Sequence, residues 1–259
     1  MPTQFLDHIR RQTRRRIKSI PKGSYTPKNN HDFMTIFNTN KKPVIISEIK
    51  FASPSGGKIH PGPTDPVTIA RQYLEAGASA LSVLTEPNYF LGNIDYIRHI
   101  REACPKAHIL LKDFIISEAQ IKQGLAYGAN AVLLIVAFLD TQQLNKLYHD
   151  ALQLGLTPII EVHNARELKR ALQLRPSVIG INNRNLQTLE INLDTARMLI
   201  TQIESGCHVI CESGINHAHE LASLMKLGFS GFLIGSHFMQ SRVPGQALKR
   251  LISEVNHAH

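Results

Sequence analysis

The sequence predicts a (β/α)8 TIM barrel with an N-terminal helical extension. Three observations carry this expectation: eight short apolar runs, helix-like stretches between them, and a glycine that recurs where several of those stretches end. The glycine-terminated stretches end in Glu75-Ala76-Gly77, Ala126-Tyr127-Gly128, Gln153-Leu154-Gly155 and Lys226-Leu227-Gly228. Their separations approximate two, one and three copies of a unit of roughly 25 residues, the size of a strand, a short loop and a helix. Glycine suits a helix C-terminus because it takes the left-handed conformation that satisfies the last carbonyls without strain.

The strand-like runs are Val44 to Ile49, Ala80 to Leu84, Ile109 to Leu111, Ala131 to Val136, Pro158 to Val162, Val178 to Ile181, Val209 to Cys211 and Gly231 to Ile234. They are almost continuously apolar rather than alternating, the pattern of parallel strands buried on both faces. Helix starts lie between them. Asp65 precedes Pro66, an N-cap with proline at the first helical position. Ser117 with Gln120, Asp140 with Gln143 and Asn164 with Glu167 have capping-box spacing. Leu144, Leu147, Tyr148 and Ala151 form one apolar helical stripe, and Leu248, Leu251, Ile252 and Val255 form another. The competing fold, an open doubly wound sheet, normally carries clustered phosphate-binding glycines after its first strand. Ser53-Pro54-Ser55-Gly56-Gly57-Lys58 matches neither that fingerprint nor a P-loop.

A chain of 259 residues suits one barrel of roughly 250 residues. Residues 1–259 are therefore expected to form a single domain, with 1–42 as the helical extension. Arg10 to Lys18 is basic and free of acids. It reads as a solvated amphipathic helix with Phe5, Ile9 and Ile17 on its apolar side, and an organelle transit peptide is the alternative.

Composition excludes several classes. Hydrophobic residues at 43% and charged residues at 19% argue against wholesale disorder. No apolar run approaches the roughly 20 residues that span a bilayer, and the Arg-rich start lacks a signal core. The three cysteines, Cys104, Cys207 and Cys211, are an odd and sparse set, which points to a reducing compartment. A cytoplasmic location follows. Cys207 and Cys211 lie four apart on a strand-like stretch without flanking ligands and read as buried thiols. The scattered histidines, including His217, His219, His257 and His259, read as surface residues rather than a metal site. The formal charge of +9 fits a nucleic acid, an anionic membrane surface or an anionic substrate, and charge alone does not choose among them. Beyond the N-terminal helix the basic residues are dispersed, and no RNA-binding signature appears. No nucleic-acid or membrane partner is expected.

In a barrel, residues at the C-terminal strand ends meet around one pocket. Those ends read Glu48-Ile49-Lys50, Thr85-Glu86, Lys112-Asp113-Phe114, Glu161 followed by His163, Asn182-Asn183-Arg184-Asn185, Glu212-Ser213-Gly214 and Gly235-Ser236. Glu48 and Lys50 are two apart and point to one side of their strand. Burial and nearby positive charges would lower a lysine there toward neutrality, which suits proton transfer. The Ser213-Gly214 and Gly235-Ser236 segments suit a phosphate cradle, and Arg184 suits a charged clamp. The substrate class this implies is a phosphorylated small molecule.

These segments, together with Ala52-Ser53-Pro54-Ser55, Leu84-Thr85-Glu86 with Tyr89-Phe90, Glu161-Val162-His163, Ile179 to Leu186 with Thr188, and Glu212-Ser213-Gly214-Ile215, occur in one order. In that order they resemble the successive signatures of the indole-3-glycerol-phosphate synthase family, from about Pro43 to the end. The resemblance implies ring closure, decarboxylation and dehydration of 1-(2-carboxyphenylamino)-1-deoxyribulose 5-phosphate, in tryptophan biosynthesis. It implies Lys112 as general acid on the ketone oxygen. It makes Lys50 the partner of the substrate carboxylate and the acid in dehydration, with Glu48 the base. Glu161 would support charge on the substrate amine, and Asn182 and Glu212 would position the substrate. Ser53, Arg184, Ser213, Gly214, Gly235 and Ser236 would bind substrate, the last five at its phosphate, while Phe114 and Leu186 would line the ring pocket. No metal or organic cofactor is implied, and a monomer is expected. Phe51 stands where the family usually has a basic residue, Gly56 where it usually has Lys (with Lys58 nearby), and Cys211 where Ser is common. The first two departures fall on the loop after the first strand.

Two other readings stay open on the residues alone. Lys112 or Lys50 would suit a Schiff-base aldolase or isomerase acting on another sugar phosphate. A non-catalytic anion- or nucleic-acid-binding protein would use the basic N-terminal helix, but it leaves the strand-end acids unexplained.

Overall fold

Eight parallel strands close on themselves, so no strand of the sheet is left with an unpaired edge. A computed structural model describes residues 2–21, 31–38 and 43–257, with the side chains of residues 2–5 and 257 outside the description. Phe5, His257 and His259 therefore lie outside the described side chains. The barrel strands are β1 (Val44–Ile49), β2 (Ala80–Leu84), β3 (Ile109–Lys112), β4 (Ala131–Ile135), β5 (Thr157–Val162), β6 (Val178–Asn182), β7 (His208–Glu212) and β8 (Gly231–Ile234). Each agrees with the apolar run read from sequence to within one residue at either end. Neighbours in sequence pair in parallel, and β1 pairs with both β2 and β8, which closes the sheet.

Period-two alternation divides each strand between two cores. In β1, Ile46 enters the barrel interior with Ala80, Leu110, Leu133 and Ile159. Its neighbours Ile45 and Ile49 face outward against helix residues such as Ile69 and Tyr73. Both faces are thus apolar, which explains the near-continuous hydrophobic runs. A short 3-10 turn, Phe33–Phe37, buries Phe33 and Ile36 in the interior cluster and stacks Phe37 on His208 at 4.2 Å between ring centroids. His208 opens β7, so this turn closes the N-terminal end of the barrel.

The helices of the barrel units are α2 (Pro66–Glu75), α3 (Asp95–Ala103), α4 (Glu118–Tyr127), α5 (Thr141–Gln153), α6 (Ala165–Leu172), α7 (Asp194–Ile200), α8 (Ala218–Lys226), a short α9 (Ser236–Met239) and α10 (Pro244–His257); α1 (Pro2–Ile17) precedes the barrel. Asp65, Asp140 and Asn164 cap their helices as expected, accepting from the backbone N–H of Val67, Gln143 and Glu167. Ser117 also caps, through Ala119 N, but Gln120 does not complete a reciprocal box. Its amide instead accepts from Ile116 N and donates to Phe114 O, pinning the loop that leads out of β3. Both stripes pack inward, with Ile252 half-buried at the edge of the second.

α1 departs from the solvated helix expected of so many arginines. Ile9 and Thr13 are buried and Ile17 is half-buried. Arg10 donates to Phe138 O at 3.1 Å and lies 4.9 Å over that ring, and Arg16 donates to Asp113 at 2.6 Å. A buried apolar stripe with two arginine anchors outweighs the solvation of the remaining charges, so α1 docks on the barrel at the β3 and β4 ends. Cys211 is buried with its thiol pushed up to about 12 by burial, and half-buried Cys207 is likewise pushed up to about 11. No described helix is long and apolar enough to cross a membrane.

The glycines of the repeated unit, Gly77, Gly128, Gly155 and Gly228, all have positive φ. They differ in surroundings. A Cβ on Gly128 would stand 2.7 Å from Cγ of Arg101, whose guanidinium is tied to Gly128 O and Asn130 Oδ1. A Cβ on Gly155 would meet nothing within 4 Å. Gly155→Ala should therefore cost about 1 kcal/mol from backbone strain. Gly128→Ala should cost at least about 1 kcal/mol more, because an anchored side chain has to move. Urea denaturation of both variants checks this, and equal losses would contradict it.

Candidate active site

The C-terminal strand ends carry polar residues because there the interior opens. Lys112 ends β3, Glu161 lies one residue before the end of β5, and Glu212 ends β7. Strand register brings them to one level: Leu84 pairs with Lys112, Ile135 with Glu161 and Asn182 with Glu212. Lys112 Nζ donates to Glu161 Oε2 at 3.0 Å and to Glu212 Oε2 at 2.9 Å. Across the mouth, Lys50 Nζ lies 2.6 Å from Glu48 Oε1. The cavity wall includes Glu48, Lys50, Lys112, Glu161, Asn182 and Glu212. It also includes Phe114, Arg184, Leu186, Ser213, Gly214, Gly235 and Ser236. Of the residues given a catalytic or substrate-binding role from sequence, Ser53 alone is outside this lining: it sits in a two-stranded hairpin (Ala52–Ser53 with Gly57–Lys58), and its hydroxyl accepts from Gly56 N at 3.1 Å.

Burial makes the charges interdependent. Burial alone would depress the ammonium of Lys112, but Glu161, Glu212 and Glu48 outweigh it and raise the group above its ordinary value. Lys112 thus stands among acids that favour its charged form. Burial opposes ionisation of Glu48, yet Lys50 and Lys112 hold it low. Glu161 is likewise held far below the carboxylate range against burial, by Lys112 and His163. Glu212 goes the other way: burial, then Glu161 and Glu48, outweigh Lys112 and push it up to about 7. Two carboxylates sharing one ammonium separate into an ionised member and a proton-holding member.

Two interior glycines make room for these acids. A Cβ on Gly180 in β6 would come 2.3 Å from Glu212 Oε1, and one on Gly235 would come 2.6 Å from Glu48 Oε1. Gly180 was readable as a close approach, since glycine inside a strand otherwise weakens it. What approaches it was not. Toward the anion-binding side, Ser213 takes the left-handed conformation at φ 64 and Gly214 follows at φ 88, a turn that exposes successive N–H groups. Arg184 donates to Leu189 O at 2.8 Å and reaches Ser55 Oγ at 3.4 Å, tying the β6 loop to the hairpin. Phe51 is buried and packs edge-on to Tyr96 at 5.8 Å, so this position supplies packing and no charge. Lys58 is exposed and does not line the cavity.

Not every strand-end acid faces the cavity chemistry. Glu86 accepts from the backbone of Asn88, Tyr89 and Phe90 and folds the β2 loop. Asp113 accepts from Arg16, Thr85 and its own neighbour Phe114 N. Sequence reasoning passed over Leu133, Ile135 and Leu233, which with Phe90 complete an apolar wall beside Phe114, because such residues look like ordinary core. It also passed over Asn216 and His237 on the anion side.

The indole-3-glycerol phosphate synthase family model matches residues 4–251. The indole-3-glycerol phosphate synthase of Acidithiobacillus ferrooxidans is 45% identical, over 81% of this chain and 79% of the relative. That of Albidiferax ferrireducens is 43% identical, over 82% and 80%. Among solved structures, 3-hexulose-6-phosphate synthase from Salmonella typhimurium aligns with TM-score 0.66 at 12% identity, covering 83% of this chain and 100% of that one. Tryptophan synthase subunit alpha from Legionella pneumophila aligns with TM-score 0.62 at 15% identity, covering 90% and 98%. These two likenesses show the barrel fold alone.

The elevated Glu212 links the site to stability. Between its ordinary value of 4.5 and about 7, the folded protein holds a proton that the unfolded chain has released. This contribution is complete below the lower value and is lost as pH rises through the upper one. Glu212→Gln removes the titration. Its Tm should fall less than that of the wild type between about pH 5 and pH 8, by roughly 3 °C or more. Parallel Tm losses in thermal scans would rule out the elevated group.

Proposed function

Because the chain belongs to the indole-3-glycerol phosphate synthase family, we propose that the buried acids and lysines at its barrel mouth carry that family's reaction. The chain is a decarboxylating carbon–carbon lyase of tryptophan biosynthesis. Its substrate, 1-(2-carboxyphenylamino)-1-deoxyribulose 5-phosphate, loses carbon dioxide and water to give indole-3-glycerol phosphate.

The observation that carries the assignment of roles is Lys112 held between Glu161 and Glu212, opposite the Glu48–Lys50 pair. In ring closure the aromatic carbon bearing the carboxylate attacks the ketone carbon. The carbonyl electron pair moves to oxygen, which takes a proton from Lys112. The surrounding acids keep Lys112 protonated, so a proton is available where the ketone oxygen arrives. Loss of carbon dioxide then returns an electron pair to the ring. In dehydration Lys50 protonates the departing hydroxyl and Glu48 removes the proton from the adjacent carbon, a division of labour that their 2.6 Å contact prepares. Ionised Glu161 supports positive charge on the substrate nitrogen, and Glu212 with Asn182 orients the sugar chain.

The Ser213-Gly214 turn, Gly235, Ser236 and Arg184 receive the phosphate, while Phe114 and Leu186 take the aromatic ring beside the apolar wall. Ser53 acts at one remove, by shaping the hairpin that carries Ser55 toward Arg184. These groups supply acids, bases and positioning throughout. The enzyme works as a monomer on this small anion in the cytoplasm and without a nucleic-acid partner. Arg10 and Arg16 of the basic helix are engaged by the barrel rather than presented as a patch.

The test is fluorescence-monitored formation of indole-3-glycerol phosphate. Lys112→Ala should reduce kcat by roughly 10²–10⁴-fold, and Glu161→Gln should lose at least about tenfold. Unchanged turnover in Lys112→Ala would remove that residue from the mechanism.

A further inference from the structure

His163 follows β5 two residues beyond Glu161, so both side chains leave the strand on the same side. Its side chain is only 7% exposed. Nδ1 lies 2.9 Å from Glu167 Oε2, and the same oxygen accepts the backbone N–H of His163 at 2.9 Å. Glu167 is itself fixed: its other oxygen accepts from Asn164 Nδ2 at 2.6 Å, and Asn164 Oδ1 caps its backbone N–H at 3.0 Å. The capping residues read from sequence at the start of α6 thus also clamp an imidazole. Nε2 of that imidazole stands 3.1 Å from Glu161 Oε1, a charge contact off the line of a straight hydrogen bond. The other oxygen of Glu161 accepts from Lys112.

We propose that His163 is a positioning residue for the reaction: a buried cation, held by Glu167, that keeps Glu161 ionised and oriented while Lys112 is engaged by substrate. This inference rests on the role given to Glu161 above. The charged groups facing the ring are Glu161 from β5 and Glu167 from α6, with Lys112 of β3 on the far side of Glu161. Nδ1 faces a carboxylate and therefore carries a proton, and Nε2 faces a second carboxylate. Both contacts are favourable only when the ring is doubly protonated. Burial disfavours that cation, but the two acids outweigh it and raise the group to about 9.

The consequence appears during ring closure. Lys112 transfers a proton to the ketone oxygen and becomes neutral, so Glu161 loses one of its two countercharges. A buried carboxylate in that position would take up a proton and cease to stabilise positive charge on the substrate nitrogen. His163 remains as the second countercharge, on the oxygen that Lys112 does not use.

The experiment compares His163→Gln, Glu167→Gln, Glu161→Gln and the double variant Glu161→Gln/His163→Gln in the full chain. For His163→Gln, kcat should fall roughly 10–100-fold, as when supporting partners of a catalytic ligand are removed, with KM within about threefold. The acid limb of its kcat–pH profile should move up by about one unit or more, since Glu161 loses a cation. Glu167→Gln should move the limb in the same direction by less. In the Glu161→Gln background, His163→Gln should add less than about twofold. An unmoved acid limb, or a full additional loss in the double variant, overturns the inference while leaving Glu161 in place. Full turnover in Glu161→Gln overturns the role of Glu161 and this inference with it. ¹⁵N NMR of histidine in the folded wild type at about pH 7.5 is independent of how the variants fold. Two protonated ring nitrogens on His163 are expected, and a singly protonated ring overturns the proposal.

Discussion

One ammonium shared by two buried carboxylates organises the mouth of this barrel. Lys112, Glu161 and Glu212 come from three strands, and each is taken almost wholly out of water. Desolvating three ionisable groups is costly unless their geometry is tight and their remaining valences are filled. The surrounding structure supplies both conditions. Parallel register sets the three strand ends at one level, Gly180 leaves space for Glu212, and His163 stands beside the free oxygen of Glu161. Among the described residues Glu212 Oε1 has no hydrogen-bond partner, the condition of a site prepared for substrate polar groups rather than for stability.

The same chain segments serve structure and chemistry at adjacent positions. In Lys112-Asp113-Phe114, the lysine enters the catalytic cluster, the aspartate receives Arg16 and Thr85, and the phenylalanine builds the apolar wall. Alternation along an extended backbone directs successive side chains to different environments. Asp113 therefore couples the placement of Lys112 to the docking of α1. At Glu161-Val162-His163 the pattern repeats, with an acid and its supporting imidazole on one side and Val162 buried on the other.

Much of this was legible in one dimension. The eight runs were apolar because both strand faces are buried, so strand positions emerged nearly to the residue. Gly77, Gly128, Gly155 and Gly228 marked helix ends because few other residues take positive φ there without strain. Lys50, Lys112 and Glu212 stood out as charges directly after apolar runs, and Glu161 as a charge inside one. What escaped depended on distance across the fold. Glu86 and Glu161 are equally acidic and occupy comparable strand ends, yet one folds its own loop and the other meets Lys112. Ser53 shares a motif with Ser55 but turns into its hairpin. The arginines of α1 read as solvated because nothing in their spacing announces Phe138 or Asp113 as partners.

The sequence by itself determined the barrel, its order of strands and the charged residues that line its mouth. Periodicity and chain punctuation are local properties, and a parallel array of eight βα units has few other ways to bury both faces. Tertiary structure decided the charge states and pairings. Whether a carboxylate is ionised, as Glu161 is, or holds a proton, as Glu212 does into the neutral range, depends on desolvation and on charges a few ångströms away. The shared countercharge, Lys112, lies 49 positions from one acid and 100 from the other, and only closure of the barrel brings them together.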